Sequence, residues 1–453
     1  MPPERRLHVL QVSASDHRGG AQRVGWDLFA AYRAIGHDSK LAVGRKRSLD
    51  PDVFELAYRP KPNSLGGAFA TCERILTPMA GRAPGAGSLR KRCLELQRGW
   101  RTPFDRWLGR EDFNFPGSRQ LLQMTDKDIL HCHNLHGGYF DLRMLPELTR
   151  KTPVVLTLHD AWLLSGHCAH SFDCMRWRDG CGDCPDLSIY PRIARDATAF
   201  NWRRKREIFA RSRLYVATPC RWLMRRVEES ILSSAVVEAQ VIPNGVDLKV
   251  FHPPEDRSAA KSRLGVDTAC RMVIFAADGI RRNVFKDYDT FRAAMAKLGA
   301  RWSGAPLLFL ALGDDGPSEA VGQAQLKFVP FKDDASDVAL YFAAADVCVH
   351  AARAETFALT IIESFACGVP VIASAVGGIP EIIESGTTGF LVAPGAADEM
   401  AARIEALLRD DDLRRKMGEL AAATVRRRFD INDQVSAYLD WYQSIVDSRR
   451  ELQ

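Results

Sequence analysis

The stretch that most constrains this chain spans residues 342–394, FAAADVCVHAARAETFALTIIESFACGVPVIASAVGGIPEIIESGTTGFLVAP. Residues 346–350 form a short apolar run suited to a buried parallel strand, and residues 351–357 read as a loop. A brief helix is predicted over residues 359–367, stopped by Gly368 and Pro370. Residues 371–376 form a second buried strand, and Gly377-Gly378 leads into another helix with Pro380 and Glu381 in its first turn. Strand, loop and helix thus occur twice in succession, the pattern of a doubly wound parallel sheet.

Both loops open helices, and a helix start offers free N–H groups and a positive dipole end to an anion. Glu355 closes the first loop and Glu363 lies one turn into its helix, with seven residues between them. Both are therefore expected to face the crevice above the strand ends. A carboxylate there accepts hydrogen bonds from a ribose diol while backbone amides hold a diphosphate. On spacing alone, two such glutamates are more often a solvated pair. The surrounding pattern changes that weighing. E-T-F-A-L-T-x-x-E-S-F-A-C-G-x-P-V-I-A-S followed by G-G-I-P-E closely resembles the nucleotide-sugar signature of retaining glycosyltransferase family 4. The resemblance implies that Glu355 lies by the donor sugar and Glu363 binds ribose. It also implies that the backbone of Thr356, Phe357, Ala358 and Leu359, with Gly377 and Gly378, contributes to the donor site. Ala358 stands where the family usually has Gly, which tightens the expected backbone approach to phosphate.

A chain of 453 residues, 46% apolar and 26% charged, is long enough for two or three ordinary globular domains. No apolar run approaches the roughly 18 residues that span a bilayer. MPPERR followed directly by LHVLQVS lacks the apolar core of a signal peptide, so a cytoplasmic protein with reduced cysteines is expected.

Along the chain, residues 7–12 read as a buried strand and residues 21–35 as an amphipathic helix, with Gly19-Gly20 between them as an anion cradle or simply a tight turn. The family resemblance assigns Gly19, Gly20 and Ala21 to the donor diphosphate and acceptor. Residues 45–120 read as an insertion with broken helices. Residues 90–110 carry seven Lys or Arg against Glu95 and Asp105, interleaved with Leu94, Trp100, Phe104 and Trp107. That composition suits either the anionic inner membrane face or a basic helix whose stems cover the domain. Residues 203–213, with six Lys or Arg against Glu207, and residues 222–226 continue the theme. No nucleic-acid-binding module accompanies these runs.

Residues 128–132 and 154–158 are the next expected strands. The first ends in His131, His133, Asn134 and His136, the second in His159-Asp160, where a doubly wound sheet places its ligands. Taken singly, each histidine is more often a structural hydrogen-bonder. T-L-H-D-A-W resembles the family's His-Asp turn, which implies that His159 reaches the donor sugar. In the Cys-rich loop over residues 163–187, Cys168, Cys174, Cys181 and Cys184 are separated by five, six and two residues. Two readings stand: a closed structural zinc site, with His167 and His170 as substitute ligands, or reduced packing cysteines. This loop and the preceding HNLHGGYF resemble a branch of the family that builds bacterial exopolysaccharides.

V-I-P-N-G-V-D at residues 241–247 resembles the family's interdomain linker. After an expected strand at residues 272–277, Lys286 and Arg281, with Arg282 as the alternative to Arg281, match the family's cations for a leaving diphosphate. Further strands are expected at residues 306–312 and 327–331. The resemblance implies the GT-B architecture, with two facing Rossmann-like domains expected over residues 1–245 and 255–430 and a cleft between them. A C-terminal helix over residues 431–453 is expected to pack back on the first domain. The resemblance implies retaining transfer of a sugar from a UDP- or GDP-sugar to a glycan or lipid-linked acceptor in cell-surface polysaccharide biosynthesis, without an obligatory catalytic metal. The alternatives are a catalytically silent nucleotide-sugar binder or scaffold, and a nucleotide-sugar epimerase of the same architecture.

Overall fold

The computed structural model of the chain describes residues 6–16, 19–56, 64–80, 82–98, 102–124 and 126–451. Trp100 and Arg101 of the basic stretch lie outside these. The chain forms two compact units, Met1–Thr218 with Met224–Gln240 and Trp441–Gln453, and Pro219–Leu223 with Val241–Asp440.

In the first unit the strands are β1 (His8–Ser15), β2 (Asp38–Arg45), β3 (Val53–Glu55), β4 (Ile129–His133), β5 (Val154–Thr157), β6 (Leu214–Thr218) and β7 (Val236–Val241). Their order in the sheet is β3-β2-β1-β4-β5-β6-β7, and β1 pairs parallel with both β2 and β4. β4 and β5 are buried along their whole lengths, as strands covered on both faces must be. The helix Gly20–Ala34 buries Val24, Leu28, Phe29 and Tyr32, a one-sided stripe at helical spacing. Strand order reverses between β1 and β4, so a crevice opens at their carboxyl ends.

The second unit contains β8 (Arg271–Ala276), β9 (Leu307–Leu312), β10 (Glu319–Val321), β11 (Ala324–Val329), β12 (Val347–His350), β13 (Val371–Ser374) and β14 (Gly389–Val392). The order is β10-β11-β9-β8-β12-β13-β14, with β10 antiparallel at the edge. Phe275, Phe291, Phe309, Val347 and Ile372 share one core, with Phe291 edge-on to Phe275 at 4.8 Å. The reversal here falls between β8 and β12. β12 begins one residue later than expected because Asp346 accepts from Lys261 Nζ and from Met272 N, both at 2.8 Å, at the amino end of the sheet. β11 begins three residues before the expected 327 and alternates in burial, as a strand next to an edge does.

The units are discontinuous in sequence for a local reason. Pro219–Leu223 joins the second unit because the Glu381 carboxylate accepts from Arg221 N (2.8 Å) and Trp222 N (2.7 Å), while Cys220 Sγ donates to Thr356 O (3.3 Å).

The inserted region carries helices Leu65–Leu76, Ala86–Arg98 and Thr102–Trp107. Much of its basic charge is neutralised internally: Arg90 pairs with Glu73, Arg106 with Glu95 and Arg110 with Asp105. The later basic run is structural in the same sense. Lys205 is wholly buried; its Nζ donates to Glu111 Oε1 (3.0 Å), Trp162 O (2.9 Å) and Ser165 O (3.0 Å) and lies 3.7 Å from the Trp162 ring centre. This pair ties the end of the insertion to the segment after β5. Removing one partner leaves a buried charge without compensation, so Lys205→Ala is expected to lower urea-unfolding stability by about 3–5 kcal/mol. Lys205→Met combined with Glu111→Leu removes both charges and should cost far less. Equal losses for the two proteins would contradict this account.

Candidate active site

The loops leaving β8 and β12 are joined to each other at the second unit's switch point. Asp287 N donates to Ala351 O (3.1 Å), Arg353 N donates to Phe285 O (2.9 Å), and Lys286 and Ala352 form an antiparallel bridge. That joint brings together side chains that are 69 residues apart: Lys286 Nζ lies 2.5 Å from Glu355 Oε2. His350, the last residue of β12 and 2% exposed, adds its Nε2 at 3.1 Å from the same carboxylate oxygen, and Thr360 Oγ1 lies 3.2 Å from its Nδ1. Burial by itself would push the Glu355 carboxyl up, but the Lys286 ammonium and the His350 hydrogen bond hold it well below the usual carboxylate range. His350 is shifted down, by burial first and by Lys286 second, and stays neutral. Sequence reasoning missed His350 and Thr360; the signal was a lone polar residue ending an apolar parallel strand.

The other expected donor residues are placed less uniformly. Thr356 is buried, and its N donates to Glu355 Oε1 at 3.1 Å. Ala358 caps the helix Leu359–Ala366 at φ −85°, a conformation open to any residue, so its replacement of the family's Gly carries no strain. Phe357 meets Phe429 edge-on at 5.9 Å, and Leu359 begins the helix. Glu363 sits in that helix, 8% exposed. Gly377 has φ +57°, and a Cβ there would lie 1.6 Å from Glu355 O; at Gly378 it would lie 2.3 Å from Thr356 O. These glycines therefore support the Glu355–Thr356 backbone from behind, and the helix after them is the single turn Ile379–Ile382. Arg281 is engaged elsewhere: its backbone N donates to Asp314 (2.9 Å), its side chain pairs with the same carboxylate and donates to Asp315 O, and it lies over the Phe328 ring at 4.5 Å. Arg282 is exposed, and its side chain has no hydrogen bond or ion pair among the described residues.

In the first unit, Gly19 (φ +109°) precedes the helix Gly20–Ala34. At the carboxyl ends of β4 and β5 the histidines form a connected array. His131 Nε2 lies 2.7 Å from Thr157 Oγ1 and its Nδ1 lies 2.6 Å from Tyr442 OH. His133 Nδ1 lies 3.1 Å from His159 Nε2. Asp160 accepts from Asn134 Nδ2 (2.9 Å), lies 2.6 Å from His136 Nε2, and accepts from Trp162 N (2.9 Å). Burial pushes His131 down to about 3 and His159 down to about 4, and drives His133 well below its ordinary value.

The zinc reading of Cys168, Cys174, Cys181 and Cys184 is not supported. Among the described residues no group of three or more His, Cys, Asp or Glu is placed to hold a metal ion. The four thiols line one recess with His167, but three of them have separate partners. Cys168 Sγ donates to Ser165 Oγ (3.6 Å), Cys181 Sγ accepts from Gly166 N (3.3 Å), and Cys184 Sγ lies 3.3 Å from His167 Nε2. Burial raises Cys168 to about 11 and Cys181 to about 12, so both stay protonated at neutral pH. The loop is also less polar inside than its composition suggests: Trp177 and His167 are buried, and Trp177 O accepts from Trp202 Nε1 at 2.7 Å.

The buried histidines predict a pH dependence. His131 and His133, with exposures of 0% and 1%, remain neutral in the folded chain below the pH at which an unfolded histidine takes up a proton. Between about pH 6.5 and pH 4 the unfolded chain therefore binds more protons, and stability falls as pH falls, by about 1.4 kcal/mol per pH unit for each group. The urea midpoint of the first unit should drop from pH 7 to pH 5, and His131→Gln should shallow that drop by one group's share. A midpoint independent of pH would contradict the assignment.

A family model described as Glycosyltransferase Family 4 matches residues 18–250, more than half of the chain, and one described as Glycosyl transferases group 1 matches residues 316–424. Among curated proteins, N-acetyl-alpha-D-glucosaminyl L-malate synthase of Bacillus anthracis is 29% identical over 216 residues, covering 46% of this chain and 54% of its own. D-inositol 3-phosphate glycosyltransferase of Segniliparus rotundus is 32% identical over 196 residues, covering 41% and 43%. The chain thus spans about half the length of the curated relatives it matches. Among solved structures, sucrose-phosphate synthase from Thermosynechococcus elongatus superposes with a TM-score of 0.63 at 18% identity, over 97% of this chain and 100% of that one. HepE from Anabaena, in complex with UDP and glucose, gives 0.62 at 17% identity over the same shares. These likenesses bear on fold: two parallel Rossmann-like sheets, the GT-B architecture. By the extent of the family match, the chain belongs to Glycosyltransferase Family 4.

Proposed function

We propose that this protein is a retaining glycosyltransferase that moves a sugar from a UDP- or GDP-sugar to a glycan or lipid-linked acceptor in cell-surface polysaccharide biosynthesis. The observation that carries the reading is the Lys286–Glu355–His350 cluster at the switch point of the second sheet. Breaking the bond between the anomeric carbon and the diphosphate oxygen leaves the electron pair on the diphosphate. Lys286 and the amides at the start of the helix Leu359–Ala366 supply positive charge for that developing anion. Glu355, ionised by its partners, accepts hydrogen bonds from sugar hydroxyls, and Glu363 takes the ribose diol. The family role of His159 is a hydrogen bond to the donor sugar. Arg281 joins the diphosphate by exchanging its Asp314 contact for it. The curated relatives carry names of sugar transfer to small acceptors, and HepE was crystallised with UDP and glucose; both are consistent with a nucleotide-sugar donor here.

Purified protein incubated with UDP- and GDP-sugars should release nucleoside diphosphate and form a new glycoside. Lys286→Ala and Glu363→Ala should each lose about 2–4 kcal/mol of transition-state stabilisation, as removal of other pre-organised partners does, with unchanged far-UV circular dichroism. Near-wild-type turnover in either variant would mean that the donor site is misplaced.

Attachment to an anionic membrane face is part of the same proposal. No helix among the described residues is long and apolar enough to cross a membrane. Within residues 90–110, Lys91 and Arg92 are exposed and have no ion-pair partner among the described residues, beside exposed Leu89 and Leu94 on the helix Ala86–Arg98. Each basic residue near anionic lipid contributes about 1 kcal/mol. Lys91→Glu with Arg92→Glu should therefore weaken flotation with anionic liposomes by more than tenfold, and high salt should do the same. Equal binding of both proteins to neutral liposomes, or none to either kind, would remove the membrane from the account.

A further inference from the structure

The histidines of the first unit are arranged so that one sets the protonation of the next. Gln11 projects from β1, and its carboxamide is fixed by the backbone of the helix Gly20–Ala34. The end of the carboxamide 2.8 Å from Phe29 N faces a donor and is assigned as its oxygen, and the end 3.2 Å from Gly25 O and 2.9 Å from His133 Nε2 faces a carbonyl and is assigned as its nitrogen. A carboxamide NH2 only donates, so His133 Nε2 is the lone-pair nitrogen of its ring and Nδ1 carries the hydrogen. That Nδ1 lies 3.1 Å from His159 Nε2 and donates to it. His159 therefore keeps its own hydrogen on Nδ1, which makes no hydrogen bond among the described residues.

The geometry leaves this chain little freedom. The His133 and His159 rings are 5.4 Å apart and inclined by only 23°. His133 is 1% exposed, and the Cβ that any other residue would add at Gly25 would lie 3.3 Å from its ring, so the helix packs directly on it. His159 is held from its backbone as well, its N donating to Asn134 Oδ1 at 3.0 Å. The titratable groups acting on His159 are His133 from β4, Asp160 beside it and His136 from the loop after β4. His131, also on β4, lies against His133 with ring centres 4.1 Å apart and tilted by 41°.

We propose that His133 is a positioning residue that locks His159 as a neutral imidazole presenting Nδ1–H, so that His159 acts as a hydrogen-bond donor to a lone-pair oxygen of the bound sugar and not as a base. This rests on the reading that His159 meets the donor sugar.

Two measurements test it on the full chain. Nitrogen-15 NMR of histidine-labelled wild-type protein should show one His159 tautomer, Nδ1–H. His133→Phe should lose the lock: kcat should fall about ten- to a hundredfold, the loss seen when orienting partners of other imidazoles are removed, while donor KM changes little. In that variant the His159 nitrogen-15 signals should report a mixture of the two neutral tautomers. His133→Asn, whose amide nitrogen takes the place of Nδ1, should restore most of the rate and the single tautomer. Wild-type protein with Nε2–H on His159 overturns the proposal, as does His133→Phe with unchanged kcat. Should His133→Phe not fold, the wild-type tautomer and His133→Asn decide. His159→Ala separates the two readings. Full turnover in that variant, with wild-type His159 found as Nδ1–H, defeats the donor role of His159, whereas lost turnover in it, with wild-type His159 found as a mixture of tautomers, defeats the lock.

Discussion

The contact on which the proposed donor site depends is the ion pair between Lys286 and Glu355. Each residue is carried by a loop that leaves the sheet at its point of reversed strand order. Neither loop has a regular structure of its own. They are held by pairing with each other through Lys286 and Ala352, and by Gly377 and Gly378 pressing on the backbone of Glu355 and Thr356. An ammonium so placed has its charge matched at rest by a carboxylate. On the proposed reading, a diphosphate bound beside it shares that cation, while the carboxylate turns to hydroxyl donors on the sugar. Positive charge would then be in place before the leaving group develops its own, which is the condition under which electrostatic stabilisation is most effective.

How much of this could be read from the chain follows from what each signal depends on. The strands around Val347 and Val371 were legible because a strand buried on both faces must be apolar throughout. Lys286 and Glu355 were named from their motifs, but their mutual contact needed the fold, since 69 residues separate them. Glu381 shows the same limit more sharply. In the sequence it is an acidic first-turn residue; in the structure it caps the backbone at Arg221 and Trp222, 160 and 159 positions away, and so moves the boundary between the units. The basic runs admitted two readings, and the covering one holds for part of them. Arg and Lys bury their stems and find carboxylates, and Lys205 is wholly interior.

The cysteine-rich loop and the histidine array make a further contrast. Thiol spacing admits a metal knuckle, yet the loop is ordered by buried Trp177, by His167 and by the carbonyls that Lys205 gathers from Trp162 and Ser165. The histidines, each unremarkable alone, gain meaning from Gln11 on a neighbouring strand, whose amide orientation propagates through two rings. Spacing along the chain carries no information about that relation.

On the proposed reading, the donor diphosphate binds over the carboxyl ends of β8 and β12. The most direct test is a crystal structure with UDP or GDP bound. Diphosphate oxygens should lie within hydrogen-bonding distance of Lys286 Nζ and of the backbone amides that open the helix Leu359–Ala366. A nucleotide seated elsewhere, with Lys286 still paired only to Glu355, would contradict it.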